Sequence, residues 1–107
     1  MFVSILGTKY EIKESTESKD ANLNGVDGYC DTSTKVCVVE EMNNWEPGSK
    51  GNLSEYKKQV MRHEIVHGFL HESGLDINTW ATNEEKVEWI AIQFPKIMQA
   101  FKECDCL

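Results

Sequence analysis

The chain has 107 residues, of which 40% are hydrophobic and 27% are charged, and its formal net charge is -7 at pH 7. This length and composition are typical of one globular core, so residues 1–107 are interpreted as a single domain. The acidic balance disfavours nucleic acid and anionic membrane surfaces, because both attract basic rather than acidic proteins. We therefore expect neither a nucleic-acid partner nor a membrane partner.

Targeting signals and cysteine spacing bear on the location of the protein. No apolar stretch approaches the roughly 20 residues that span a bilayer, and the opening segment MFVSILGTKYEIKE lacks the cationic region of a signal peptide. The four cysteines, Cys30, Cys37, Cys104 and Cys106, do not have the spacing of a four-cysteine zinc site. Cys30 and Cys37 flank a polar turn and could face each other across a hairpin. Without a sign of secretion, we expect a cytoplasmic protein with reduced thiols and with Cys37 in the core.

The first half of the chain has the alternation and the turn residues of β-strands. FVSIL is apolar and TKYEIK alternates, so that Tyr10 and Ile12 share one side, and Gly7 separates two predicted strands. The polar segment ESTESKDANLNGVDG predicts a loop. YCDTSTKVCVVEE predicts a hairpin with DTST at its turn, and MNNWEPGSKG predicts a second loop with a turn at Pro47-Gly48.

The pattern becomes helical from Leu53 to Ser73, with Asn52 as the N-cap and Gly74 as the residue that ends the helix. Five side chains share one face of this helix: Tyr56, Val60, His63, His67 and Leu70. Apolar residues also occupy the neighbouring faces. We therefore expect this helix to be buried on several sides.

A second helix is predicted from about Thr82, over TNEEKVEWIAIQFPKIMQAF, with a capping box formed by Thr82 and Glu85. Its apolar stripe consists of Val87, Ile90, Ala91, Phe94, Ile97, Met98 and Phe101. Pro95 lies inside this pattern and should kink the helix. Because the strands precede both helices, we predict an α+β fold in which a small twisted N-terminal sheet packs on the two helices.

His63, Glu64 and His67 form the pattern HExxH on the first predicted helix. Imidazoles at positions i and i+4 project from adjacent turns, and both can bind one ion at roughly 2.0–2.1 Å. Glu64 is rotated by about 100° around the helix axis, so it is placed to take a proton from water at the ion rather than to bind the ion.

The simplest alternative is a chance combination of polar residues on an ordinary helix. The face that carries His63 and His67 is otherwise apolar, and an uncompensated imidazole on a buried face costs free energy. The pattern therefore favours a metal site, predicted to hold one zinc ion per chain, with Glu64 as the catalytic general base.

The third metal ligand has to come from outside HExxH. A metzincin pattern is excluded, because it would require glycine and histidine where this chain has Leu70 and Ser73. His71 lies four residues after His67, and one straight helix cannot easily place three successive turns around one tetrahedral ion. His71 is therefore a candidate for contact with substrate or with the oxyanion.

Glutamates of the second helix are better candidates for the third ligand than Cys104 or Cys106. Glu84 and Glu88 are one turn apart and face the predicted core. We favour Glu84 as the ligand and Glu88 as the carboxylate that accepts a hydrogen bond from a ligand histidine, and the reverse assignment stays open.

HEIVH together with NEEKVE resembles the gluzincin zinc peptidases, whose second motif is Asn-Glu followed by a carboxylate four residues after that Glu. Asn83, Glu84 and Glu88 occupy these positions. The order of strands, HExxH helix and glutamate helix is similar to that of the minimal gluzincins and of small phage- and mobile-element-encoded peptidases that cleave repressors. The interval between His67 and Glu84 is shorter than is usual in the family, and Glu88 stands where Asp is more usual.

The resemblance implies a zincin-like domain and a zinc-dependent endopeptidase that acts on a peptide or protein. A substrate strand would lie along an edge strand of the sheet, for which KVCVVEE is predicted because it precedes the loop to the HExxH helix. Glu64 would deprotonate water and later protonate the leaving amine. The group at the oxyanion would have to come from Tyr56, His71 or the loops.

Two other functions remain open at this point. One is a zinc-bearing protein-binding or regulatory module with weak or no peptidase activity. The other is a different metal hydrolase, such as a deformylase or an amidase. The sequence leaves open the natural substrate, the cleavage site and the oligomeric state.

Overall fold

The computed structural model describes residues 1–75 and 78–107 of the chain. Within these residues, the main elements are the strands β1 (Phe2–Ile5), β2 (Thr8–Ser15), β3 (Gly28–Asp31) and β4 (Val36–Glu40) and the helices α1 (Leu53–Glu72) and α2 (Glu84–Glu103). Short 3-10 helices lie at Ala21–Leu23 and Trp80–Thr82. The predicted α+β class is confirmed. Among the described residues, no helix has both the length and the hydropathy needed to cross a membrane.

The strands form one mixed sheet in the order β1-β2-β4-β3. β1 pairs with β2 and β3 pairs with β4 in antiparallel orientation, whereas β2 and β4 are parallel. The predicted hairpin of β3 and β4 is confirmed. The prediction of KVCVVEE as an edge strand is wrong, because this segment forms β4, inside the sheet, and the edge strands are β1 and β3.

The position of β4 has a physical reason in its side chains. Cys37, Val38 and Val39 are at most 3% exposed, and consecutive apolar residues fit a strand that is covered on both faces and paired on both sides. Every residue of β3 is only partly buried. The shorter and more polar strand therefore takes the edge.

The main core lies between the sheet and α1. It contains Ile5, Tyr10, Ile12 and Cys37 from the sheet, with Met61 and Ile65 packed against them from α1. A Cβ atom on Gly68 would lie 2.9 Å from Ile5 Cδ1 and 3.5 Å from the Tyr10 ring, so the glycine allows α1 to approach the sheet closely. At the end of α1, Glu72 accepts hydrogen bonds from Tyr10 Oη at 2.9 Å and from Lys35 Nζ at 2.8 Å.

α1 begins and ends close to its predicted limits. The Asn52 side chain accepts a hydrogen bond from the Glu55 amide at 3.1 Å, as expected for an N-cap, and Gly74 follows the helix with a φ of 76°. A second core cluster, made of Leu70, Ala81 and Val87 with Val66 and Leu75 against it, joins α1 to α2. α1 is therefore covered on two sides, by the sheet and by α2.

The N-terminus of α2 differs from its prediction by one residue. Asn83 rather than Thr82 is the N-cap, and its Oδ1 accepts a hydrogen bond from the Lys86 amide at 3.0 Å. Thr82 belongs to the preceding 3-10 helix, where its hydroxyl donates to the Thr79 carbonyl at 2.9 Å. The predicted capping box of Thr82 and Glu85 is therefore wrong, because Thr82 lies in the 3-10 helix and Asn83 takes the N-cap position.

The apolar stripe predicted for α2 is buried only in its first half. Val87 and Ala91 are fully buried, whereas Phe94 is 47% and Phe101 is 43% exposed. α2 packs on α1 and on the Trp80–Thr82 turn through its earlier residues. Of the later members of the stripe, Phe94 and Phe101 are exposed, and Ile97 and Met98 are half-buried.

Pro95 lies inside α2 and has no amide hydrogen, so the carbonyl of Ala91, four residues earlier, lacks its usual helical donor. Arg62 of α1 supplies a replacement, because its Nε donates to the Ala91 carbonyl oxygen at 2.6 Å. Ala91 is fully buried, and an unpaired buried acceptor costs about 1–3 kcal/mol. The contact therefore satisfies the carbonyl that Pro95 leaves free, and it also joins the two long helices.

We predict that Arg62→Met lowers the free energy of unfolding by about 1–3 kcal/mol, because it leaves the Ala91 carbonyl unpaired. In a Pro95→Ala background, the new amide at position 95 can pair with that carbonyl, so Arg62→Met should cost about 1 kcal/mol less. Urea unfolding of the four proteins, followed by circular dichroism, measures this coupling. Lys58→Met, which removes an exposed cation from the same helix, is the control. Equal costs in the two backgrounds would contradict the assignment.

Candidate metal centre

Side chains from α1 and α2 converge at one point, where His63, His67 and Glu84 direct their ligand atoms towards one another. Glu84 Oε2 lies 2.8 Å from His63 Nε2, and Glu84 Oε1 lies 2.9 Å from His67 Nε2. The two Nε2 atoms are 3.1 Å apart. The helical spacing places both imidazoles on one face of α1, and the N-cap at Asn83 makes Glu84 the first residue of α2.

The spacing of these atoms can be compared with the geometry of a tetrahedral ion. When metal–ligand distances are 2.0–2.1 Å, neighbouring ligand atoms of a tetrahedral zinc site are about 3.3 Å apart. The 2.8 and 2.9 Å contacts involve different oxygens of Glu84, and one ligand atom from each residue lies within 4.8 Å of the other two, so a small movement of the Glu84 carboxylate would admit an ion. Two imidazole nitrogens and one carboxylate are also a donor set that catalytic zinc sites use, with the fourth position left open. The residues present therefore fit a zinc ion.

Glu88 lies on the Nδ1 side of the His63 ring, opposite the Nε2 atom that faces Glu84. Its Oε1 lies 3.5 Å from His63 Nδ1 and accepts a hydrogen bond from Gln59 Nε2 at 3.3 Å. His63 thus directs one ring nitrogen towards Glu84 and the other towards Glu88. Outer carboxylates orient ligand histidines in this way, so the geometry favours Glu84 as the metal-facing carboxylate and Glu88 as the outer one.

Glu64 is the one charged residue among the buried side chains of the described chain, and it is 6% exposed. It lies between α1 and the edge strand, where a Cβ atom on Gly28 would come within 3.2 Å of Glu64 Oε2 and 2.9 Å of Val60 Cγ1. The glycine therefore leaves the space that the carboxylate occupies. The sequence did not indicate that Gly28 makes room for the Glu64 carboxylate, because this role depends on how β3 packs against α1.

The electrostatic surroundings of Glu64 favour its protonated form. The pKa of Glu64 is raised to about 7, with burial as the largest cause; His63 lowers the pKa, and the negative charges of Glu84 and Glu88 raise it. Three carboxyl groups beside two imidazoles form a site that attracts a dication.

An open cavity of about 640 Å³ contains these groups. One wall is formed by the metal-facing side chains of α1 and α2, and the opposite wall is formed by the edge strand β3. Among the described residues that line the cavity, Tyr56 is present and His71 is not. Tyr56 donates a hydrogen bond to Asp27 Oδ2 at 2.5 Å, at the end of the cavity where β3 begins.

The other residues considered from the sequence lie elsewhere. His71 is in the last turn of α1, and the exposed Cys104 and Cys106 follow α2 and are not part of the ligand group. Gln59 was not considered, although its position four residues before His63 places it on the same helical face. Comparisons of this chain with protein-family models, with curated proteins and with solved structures find no match.

We predict that Glu64 makes the metal-free protein less stable as the pH rises from 4.5 to about 7. Because the folded-state pKa is raised, folded Glu64 keeps its proton in this window while the unfolded chain loses it, so the free energy of unfolding falls with pH. The full shift corresponds to about 3 kcal/mol. Urea unfolding in the presence of a chelator, repeated across this pH range, measures the decline.

Glu64→Gln should remove this decline, whereas Glu85→Gln, at the exposed start of α2, should retain it. Parallel curves of stability against pH for the wild type and Glu64→Gln would contradict the assignment of the buried, protonated carboxyl group to Glu64.

Proposed function

We propose that this chain is a zinc-dependent peptidase of the gluzincin type, with a zincin-like fold, that acts as an endopeptidase on peptides or proteins. The observation that carries the proposal is the convergence of His63, His67 and Glu84 in the same cavity as the buried Glu64. A purely structural zinc site uses four protein ligands and needs no base. Three ligand atoms beside a buried carboxylate instead suit a site at which water reacts.

The proposed mechanism assigns the proton transfers to Glu64. His63, His67 and Glu84 would hold a zinc ion, which supplies Lewis acidity towards the scissile carbonyl and lowers the pKa of water. Glu64 accepts a proton from the attacking water and delivers it to the nitrogen of the leaving amine. Its raised pKa of about 7 supports this role, because a group that titrates near neutral pH can both take and release a proton.

Glu88 and Tyr56 have supporting roles in the proposal. Glu88 holds the His63 ring through Nδ1 and so keeps Nε2 directed towards Glu84. Tyr56 is the better of the two named candidates for the group at the oxyanion, because it lines the cavity and His71 does not. Its hydroxyl proton, which Asp27 accepts, would have to turn to the oxyanion. The hydrogen bond to Asp27 restricts the position of the Tyr56 ring.

The edge strand supports a peptide as the substrate. Antiparallel partners alternate between hydrogen-bonded and non-hydrogen-bonded pairs, and the Glu40 amide donates to the Asp27 carbonyl at 2.8 Å. Gly28 and Cys30 consequently direct their backbone N–H and C=O groups away from β4. An extended peptide can pair with these groups, and it would then lie in the cavity that contains Glu64.

A cytoplasmic location is part of the same proposal. All four cysteines are free, and free thiols are typical of a reducing compartment.

The second candidate is a zinc-bearing binding or regulatory module with weak or no peptidase activity. It is favoured by exposed apolar side chains on α2, where Trp89 is 57%, Phe94 is 47% and Phe101 is 43% exposed. Contiguous apolar patches mark contact surfaces for other proteins, and Phe94 and Phe101, seven residues apart, share one face of α2. The two candidates share the metal centre and differ in whether a peptide bond is cleaved.

The test measures zinc content and cleavage of unfolded casein together, on the wild type and on three matched variants. We expect the wild type and Glu85→Gln to bind about one zinc per chain and to cleave, since Glu85 does not belong to the ligand group. Glu64→Gln should retain zinc and lose cleavage by at least about 100-fold, because it lacks the base. Glu84→Gln should bind zinc at least about tenfold more weakly.

The outcomes separate the candidates. Zinc binding by the wild type without cleavage of any peptide would favour the binding module. Equal zinc affinity of the wild type and Glu84→Gln would exclude Glu84 as a ligand. Absence of zinc from all four proteins would refute both candidates.

A further inference from the structure

Two cysteines stand directly opposite each other in the β3–β4 hairpin, since Cys30 is the register partner of Cys37. The hydrogen bond between Glu40 and Asp27 makes Cys30–Cys37 a non-hydrogen-bonded pair by alternation. In such pairs the Cα atoms are about 4.5 Å apart, which lies within the range of about 4.4–6.8 Å that a disulfide spans. The two Sγ atoms are 3.4 Å apart. A bond between them therefore needs only a small movement of side chains and backbone.

The two thiols differ in their access to solvent. Cys30 is half-buried and lines the cavity of the metal centre. Cys37 is 0% exposed, and its Sγ lies 3.6 Å from the Glu64 carbonyl oxygen. A reagent that enters the cavity therefore meets Cys30 first, and Cys37 lies behind Cys30 as a second thiol within reach.

The hydrogen bond between the thiols gives them different reactivities. The Cys37 thiol donates to the Cys30 sulfur, and this hydrogen bond lowers the pKa of Cys30. The same hydrogen bond, together with burial, raises the pKa of Cys37. Because the thiolate is the nucleophile in disulfide exchange, Cys30 is suited to attack first and Cys37 to complete the exchange.

We propose that Cys30 and Cys37 form a reversible modification site that reacts with low-molecular-weight disulfides of the glutathione type and ends as a cross-strand disulfide. The Cys30 thiolate attacks one sulfur of the reagent, which forms a mixed disulfide and releases one reagent thiol. Cys37, after losing its proton, attacks Cys30 Sγ, which forms the Cys30–Cys37 bond and releases the second reagent thiol. Two protein thiols are thus oxidised by two electrons, while one reagent disulfide is reduced to two thiols that carry the two protons.

The disulfide would fasten the edge strand β3 to the interior strand β4 at the wall of the cavity. The Cys30 sulfur would move away from the cavity, and the hairpin would resist unfolding more strongly. An effect of the disulfide on peptide binding along β3 is expected only if the proposed function is correct. Formation of the disulfide itself depends only on the hairpin and is independent of that function.

The experiment uses the full chain with Cys104→Ser and Cys106→Ser, so that the C-terminal thiols cannot react. The folded protein is incubated with glutathione disulfide and studied by intact mass and by a non-reducing tryptic map. We expect a mass loss of about 2 Da, the two thiol hydrogens, that a reducing agent reverses. Trypsin cleaves after Lys35, so Cys30 and Cys37 should appear in separate peptides that remain joined until they are reduced.

Single variants test the order of attack. In the same background, Cys37→Ser should stop at the mixed disulfide on Cys30, and Cys30→Ser should react at least about tenfold more slowly, because the remaining thiol is buried. As a control, both thiols should react with glutathione disulfide in urea, which shows that the reagent is active when the chain is unfolded.

Two results would overturn the proposal. One is a folded protein that keeps both thiols in excess glutathione disulfide. The other is reaction of Cys30→Ser at the rate of the parent protein. Both readouts are obtained without zinc, so failure of the modification site and failure of the peptidase proposal can be told apart.

Discussion

The contact of one carboxylate with two imidazoles is the interaction on which the arrangement of this molecule depends. Glu84 approaches both His63 and His67 within 3 Å, so the first turn of α2 has to meet the middle of α1. Other contacts between α1 and α2 stabilise this arrangement. Arg62 joins α1 to the carbonyl that Pro95 leaves without a donor, and Glu88 accepts a hydrogen bond from Gln59 of α1. Together these contacts fix the position of α2 relative to α1.

The edge strand contributes the other half of the site. β3 approaches α1 so closely that position 28 admits only glycine without displacing Val60 or crowding the Glu64 carboxylate. This approach buries Glu64 and raises its pKa. The strand directs the backbone N–H and C=O groups of Gly28 and Cys30 away from β4, and its Cys30 thiol lines the cavity. One short strand therefore sets the burial of Glu64, one wall of the cavity and the access of reagents to a thiol.

The features that the sequence predicted well are those set by local periodicity. The i and i+4 spacing of His63 and His67 predicts their shared face on any helix, and Asn52 and Gly74 predict the limits of that helix. The strands Phe2–Ile5 and Thr8–Ser15 follow from alternation and the break at Gly7. Glu84 was favoured as a ligand because its helical position places it on the core-facing side of the second predicted helix, and the resemblance to the gluzincins agreed with that choice. The geometry of its contact with the histidines became available only with the packing of α2.

The features that were predicted wrongly depend on pairing between distant segments. Whether a strand lies at the edge or in the interior of a sheet depends on which other strands pair with it. β4 pairs with β2, which lies far from it in the sequence. The apolar run Cys37–Val39 was the available signal for an interior strand. The N-cap of α2 is Asn83 rather than Thr82 because the backbone of Thr82 belongs to the 3-10 helix that precedes α2. Only the first half of the α2 stripe is buried, because α1 contacts only that part of the helix. Periodicity predicts the face of a helix but not the length over which a partner covers it.

The most direct test of the account is anomalous diffraction at the zinc absorption edge from crystals grown with zinc. The account predicts one strong peak within about 2.0–2.1 Å of His63 Nε2, of His67 Nε2 and of a Glu84 carboxylate oxygen, with Glu88 retained beside His63 Nδ1. A peak bound by Glu88 in place of Glu84, a peak at the cysteines, or no peak between the helices would contradict it.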